Sequence, residues 1–122
     1  MSEEENNQPP TDIRISKDRA LMTLTYPDEY KAELTAEYLR IFSPSAEVTG
    51  HGPGQEVTQD GKRHVLITDV TPTGRYAIRI QFSDGHETGL YRWAYLRQLS
   101  EEKDERWAAY LEELTNKNLS RG

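Results

Sequence analysis

From residue 12 to residue 26, polar and apolar positions alternate: Asp12-Ile13-Arg14-Ile15-Ser16, then Leu21-Met22-Thr23-Leu24-Thr25-Tyr26 beyond the polar triplet Lys17-Asp18-Arg19. A period of two sends successive side chains to opposite faces of a sheet, so this stretch predicts a first β-hairpin. Pro27-Asp28-Glu29 ends its second strand. Thr35 then offers an N-cap oxygen to a short helix with Leu34, Tyr38, Leu39 and Phe42 on one face, and Pro44 stops that helix. From Ser43 to Arg63 the pattern lapses into a glycine-rich loop containing Gly50-His51-Gly52-Pro53-Gly54. A loop of that length suits a binding segment or a flexible connector equally well.

The second half is more regular. His64 to Val70 reads as a strand, and Thr71-Pro72-Thr73-Gly74 as a turn. In the next strand Tyr76, Ile78, Ile80 and Phe82 share one face, with Ala77, Arg79 and Gln81 on the other. Asp84-Gly85 marks a hairpin, because a tight reversal needs positive φ, and Gly89 suits a bulge or close approach before Leu90-Tyr91. Trp93, Leu96 and Leu99 then recur at helical spacing, after which Ser100 caps a last helix striped by Trp107, Tyr110, Leu111 and Leu114. Packing of that stripe on its own domain is the expected arrangement. The elements predict an α+β fold: a small mixed or mainly antiparallel sheet of about five strands, short helices and a C-terminal amphipathic helix. Residues 1–11 read as a flexible acidic tail, 12–99 as the domain, 100–118 as the helix and 119–122 as a second tail.

Composition narrows the possible functions. With 122 residues, one core is expected; 34% apolar content with two Trp and seven Tyr is enough for a folded body with polar ends. The absence of cysteine excludes disulfides, thiol catalysis, a cysteine zinc knuckle and an iron-sulfur cluster held by the chain's own thiolates. The net charge of -6 sits at the ends: residues 12–99 carry twelve acids against eleven bases. Such a body gives no reason to expect nucleic acid or an anionic membrane as partner. No apolar run approaches the ~18 residues of a membrane span, and no signal peptide opens the chain. A cytoplasmic monomer is expected.

The run from Gly74 through Ser83-Asp84-Gly85-His86 to Trp93, followed by Tyr95-Leu96, resembles the signature of the γ-butyrobetaine hydroxylase-like N-terminal domain family, also called DUF971. Tyr38-Leu39-Arg40 and Ser43-Pro44-Ser45-Ala46-Glu47 are similar to the family's Leu-Arg and Cys-Pro-Cys-Ala stretches. The resemblance implies a portable accessory domain, found alone in bacteria, ahead of an oxygenase domain in γ-butyrobetaine and trimethyllysine hydroxylases, or joined to iron-sulfur carrier ATPases in plants. In zinc-binding members, three cysteines and a distant histidine hold the metal. Those positions correspond here to Ser43, Ser45, Val48 and His86, so the resemblance implies a degenerate site without structural zinc, and no cofactor is expected.

The remaining chemistry is sparse. An iron oxygenase triad begins His-x-Asp or His-x-Glu, yet His51, His64 and His86 are followed at plus two by Pro53, Leu66 and Thr88. Convergence of the three histidines on a metal, or of His51 and His86 as acid and base beside Asp84 or Asp69, would require tertiary proximity. Gly50-x-Gly52-x-Gly54 lacks the Gly-Lys-Ser/Thr ending of a phosphate loop, and neither Ser43 nor Ser45 sits in a nucleophile elbow. Asp84 reads as a turn residue and Glu87 as solvated. The expectation is a non-enzymatic accessory domain binding an unknown protein partner, with Tyr91, Trp93, Tyr95 and His51 as the candidate surface. An auxiliary in metal or iron-sulfur handling is the alternative that the resemblance implies.

Overall fold

In the computed structural model of the chain, residues 8–49 and 57–122 are described. β1 (Asp12–Ile15) and β2 (Leu21–Thr25) form the expected antiparallel hairpin, with Ile15 facing Met22. Thr11 prolongs the pairing, its N–H and hydroxyl both donating to Thr25 O. A third strand, β3 (Lys31–Thr35), pairs with β2 after a turn in which Glu29 has φ 67°. The sequence pattern predicts a helix face for Leu34, which instead lies in this strand. Lys-Ala-Glu-Leu-Thr contains good helix formers, but pairing with β2 and burial of Ala32 and Leu34 override that propensity.

α1 (Ala36–Ile41) begins where expected: Tyr38 N donates to Thr35 Oγ1 at 3.0 Å. One further turn, α2 (Ala46–Thr49), lies in the segment read as a loop. His51 and the glycines at 50, 52 and 54 lie outside the described residues.

β4 (Ile67–Thr73), β5 (Ala77–Phe82) and β6 (Leu90–Arg92) form a second antiparallel sheet in that order. β4 begins later than predicted. His64 stands exposed in a turn, Thr71-Pro72-Thr73 continue the strand, and the reversal falls at Gly74, φ 60°. Pro72 is tolerated because β4 is an edge strand. That edge is closed to further pairing at three positions: Ile67 N donates to Arg19 O, Val70 N to Asp69 Oδ1, and Pro72 has no N–H.

α3 (Trp93–Glu101) and α4 (Lys103–Asn116) complete the fold. Ser100 does not cap α4. It lies within α3, donating to Arg97 O at 2.8 Å and sharing a hydrogen bond with Tyr30 OH. The inner faces of both sheets meet α1 and α3 in one core that includes Leu24, Leu34, Ile78, Ile80, Leu39 and Leu96. The α+β class holds; among the described residues six strands form two three-stranded sheets, where the sequence pattern predicts a single sheet of about five. No helix among the described residues is long and apolar enough to cross a membrane.

Residues 119–122 are docked. Gly61 N donates to Ser120 O, Arg63 N donates to Arg121 O, and the Arg121 guanidinium makes a bidentate pair with Glu37 at 2.8 and 2.9 Å. Leu119 packs beside Ile41, Tyr110 and Leu114.

Candidate functional site

The end of α1 and the β5–β6 turn approach each other, and Gly89 lets them do so. A Cβ on Gly89 would come well inside 3 Å of Ser43 Oγ, a contact that real side chains do not make. The close approach expected of Gly89 is therefore to Ser43. The turn itself is a tight reversal in which Gly85 N donates to Phe82 O, Phe82 N donates to His86 O, and Gly85 has φ 89°.

Across this junction Ser43 Oγ and His86 Nε2 share a hydrogen bond of 2.8 Å, both residues being buried. Ser45 Oγ and Thr88 Oγ1 share another of 2.7 Å, and Ser45 N donates to Ser43 Oγ at 3.3 Å. α2 carries Val48 back beside Ser45, with Val48 N donating to Ser45 O at 2.9 Å. The serine positions and His86, distant in sequence, thus meet in one buried patch.

Arg40, nearly buried, extends from α1 to the turn, its Nε donating to Asp84 Oδ2 at 2.9 Å and its Nη1 to Gln59 Oε1 at 3.0 Å. Lys62 Nζ donates to the same Asp84 oxygen at 2.8 Å, and His86 N donates to Asp84 Oδ1. Partial burial works to raise the Asp84 pKa, but the bonds from Lys62 and His86 N and the Arg40 charge outweigh it and hold the carboxyl at about 2. Asp84 is more than a turn residue. Its role as a clamp was missed, and only the Leu39-Arg40 pair within the family-like stretch hinted at it.

The donors can be tested against zinc. A structural zinc site takes thiolates or neutral imidazoles, whereas this patch offers one imidazole already bonded to a hydroxyl, a second hydroxyl and an apolar valine. These residues do not fit the metal. Among the described residues, no three His, Cys, Asp or Glu side chains gather to hold an ion. His64 is exposed and His86 buried, and His51 lies outside the described residues. Asp84 receives the His86 backbone N–H, while Glu87 accepts from Gln81 Nε2 at 2.9 Å.

The aromatic candidates divide. Tyr91 is fully buried, its hydroxyl donating to Leu39 O at 2.5 Å, so it belongs to the core and presents no surface. Burial pushes its phenol pKa up. Half-buried Tyr95 donates to Phe42 O at 2.6 Å, and Trp93 Nε1 donates to Arg75 O at 2.8 Å. Tyr38 does the same to Leu99 O. These phenols serve helix-end carbonyls that intrahelical bonds leave open. The neighbours of Tyr91, Leu90 and Arg92, point outward instead.

A small α+β domain whose helix end is bonded to a Ser-Asp-Gly-His turn defines the class. The chain belongs to the γ-butyrobetaine hydroxylase-like N-terminal family, whose sequence profile matches residues 13–97. It resembles a protein of unknown function of the DUF971 family from Acidithiobacillus ferrooxidans, 36% identical, with TM-score 0.64 over 78% of this chain and 94% of that one. Two proteins solved in solution by NMR are also similar. One is 44% identical with TM-score 0.81, covering 93% of this chain and 90% of its own. The other is 34% identical with TM-score 0.82, covering 99% and 90%. No curated protein matches the chain.

Proposed function

We propose that the protein is a non-enzymatic accessory domain of the cytoplasm, acting by binding another protein, with the family's metal position closed by hydrogen bonds instead of zinc. The observation that carries this reading is a contrast between two faces. At the helix–turn junction, Ser43, Ser45, Asp84 and His86 are all committed to bonds within the fold. Tyr76 and Leu90, by comparison, stand 68% and 46% exposed at the second sheet. Apolar groups left in water beside a junction whose polar side chains are bonded within the fold favour a recognition role over a chemical one.

The test is affinity purification of the wild-type chain and a Leu90→Asp variant from the native cells, with elemental analysis of the bait. A partner retained by the first and lost by the second, with no stoichiometric zinc in either, is the expected result. Identical captures from both, or stoichiometric zinc in the wild type, would overturn it.

A further inference from the structure

Two Asp-Gly pairs occur in the chain, Asp60-Gly61 and Asp84-Gly85. Such a pair is open to a spontaneous covalent change, because glycine has no Cβ to keep its nitrogen from the aspartyl side chain. The glycine N bonds to the aspartyl Cγ, the Cγ–OH bond breaks, and the amide proton leaves with the hydroxyl as water. A second water opens the resulting succinimide at either carbonyl, returning aspartate or giving isoaspartate with one more methylene in the main chain. The reaction needs a glycine N–H released from its acceptor and a carboxyl able to turn towards it and take up a proton.

The fold treats the two pairs differently. At Asp84 both reactants are held. Gly85 N donates to Phe82 O at 3.0 Å, Asp84 Oδ2 accepts from Arg40 and Lys62 at 2.9 and 2.8 Å, and Oδ1 accepts from His86 N at 3.2 Å. The same bonds keep that carboxyl ionised, which makes it a poor electrophile. Asp60 is exposed, and among the described residues its carboxylate makes no hydrogen bond or ion pair. Its reaction partner is restrained by one bond, Gly61 N donating to Ser120 O at 2.8 Å. That acceptor lies in residues 119–122, which dock through Arg63 N on Arg121 O, the Arg121–Glu37 pair and the packing of Leu119. A segment held by so few contacts opens locally at lower cost than the whole fold.

We infer that Asp60 is a site of isoaspartate formation restrained by the docking of residues 119–122, whereas the Arg40–Lys62 clamp protects Asp84. The added methylene falls between residues 60 and 61. It moves the Gly61 and Arg63 amides out of register with Ser120 and Arg121, so the modified chain loses its hold on the strap. The exposed product is the class of substrate taken by enzymes that methylate isoaspartyl carboxylates.

The test incubates the full-length protein at physiological temperature and neutral pH, then digests it and distinguishes isoaspartate from aspartate by electron-transfer fragmentation. Isoaspartate should accumulate at Asp60 roughly ten times faster than at Asp84, with near parity once the chain is unfolded in guanidinium chloride. Arg121→Ala, which loosens the strap, should raise the Asp60 rate roughly threefold or more and leave Asp84 unchanged. Asp60→Glu, whose side chain would have to close a larger ring, should abolish the product at this position. In the isomerised fraction the Gly61 and Arg63 amides should exchange hydrogen faster than in the parent. Faster reaction at Asp84, equal rates at both pairs in the folded protein, or product at position 60 in Asp60→Glu would overturn the site. An Asp60 rate indifferent to Arg121→Ala, or rising only in step with Asp84, would overturn the restraint by residues 119–122.

Discussion

Arg40 on α1 and Asp84 at the tip of the β5–β6 turn form an ion pair of 2.9 Å that joins the two halves of the chain. Arg40 is nearly buried, so Asp84→Asn should leave a charged donor poorly satisfied and cost about 1–3 kcal/mol at neutral pH. The Asp84 carboxyl is depressed in the folded state to about 2, from an ordinary 3.8. A lowered folded pKa contributes stability that is present above the unfolded value and lost as pH falls through the folded one. Urea unfolding of both proteins from pH 7 to pH 2 should therefore show a gap that holds down to about pH 4 and closes towards pH 2. A gap independent of pH would refute the clamp.

The family resemblance implies that Ser43, Ser45 and Val48 stand where zinc-binding members would carry cysteines, and Ser43 contacts His86. The Ser43→Cys/Ser45→Cys/Val48→Cys variant should take up zinc, or cobalt with a thiolate charge-transfer band, while the wild type takes up neither. A variant that folds but binds no metal would show that the backbone here is no longer disposed for a tetrahedral site.

Gly89 is buried against Ser43 and Pro44. Gly89→Ala should force the helix end from the turn, break the Ser43–His86 bond and cost about 1–3 kcal/mol. Denaturant midpoints measure the cost, and a change in the His86 ring resonances reports the broken bond.

Leu119 to Gly122 strap the C-terminus across α1 and the 61–63 segment. Arg121→Ala should destabilise by about 1–3 kcal/mol, because the Glu37 carboxylate, largely buried, loses its bidentate partner. Removing residues 119–122 should cost more, since Leu119 packing is lost as well. Calorimetry of the two variants checks both the sign and the order.

Local patterns were enough for the elements whose burial follows a single period. The β1–β2 hairpin, the Thr35 cap, β5, the Gly85 reversal and the helical spacing of Trp93, Leu96 and Leu99 all depend on residues close in sequence. The family likewise followed from one continuous run. Lys31–Thr35 was ambiguous by itself, because a strand there depends on a partner supplied by β2. Pro72 resembled a turn marker until its edge position made it acceptable within a strand. Tyr91 could have faced either way, and only the register with Ile78 directs it inward, sending Leu90 and Arg92 outward. Tertiary structure alone brings Ser43 to His86 and Arg40 to Asp84, each more than forty residues apart. The physical reason is that a propensity or a turn acts over a few residues, whereas a hydrogen bond, an ion pair or a shared sheet face depends on which distant segments the core draws together.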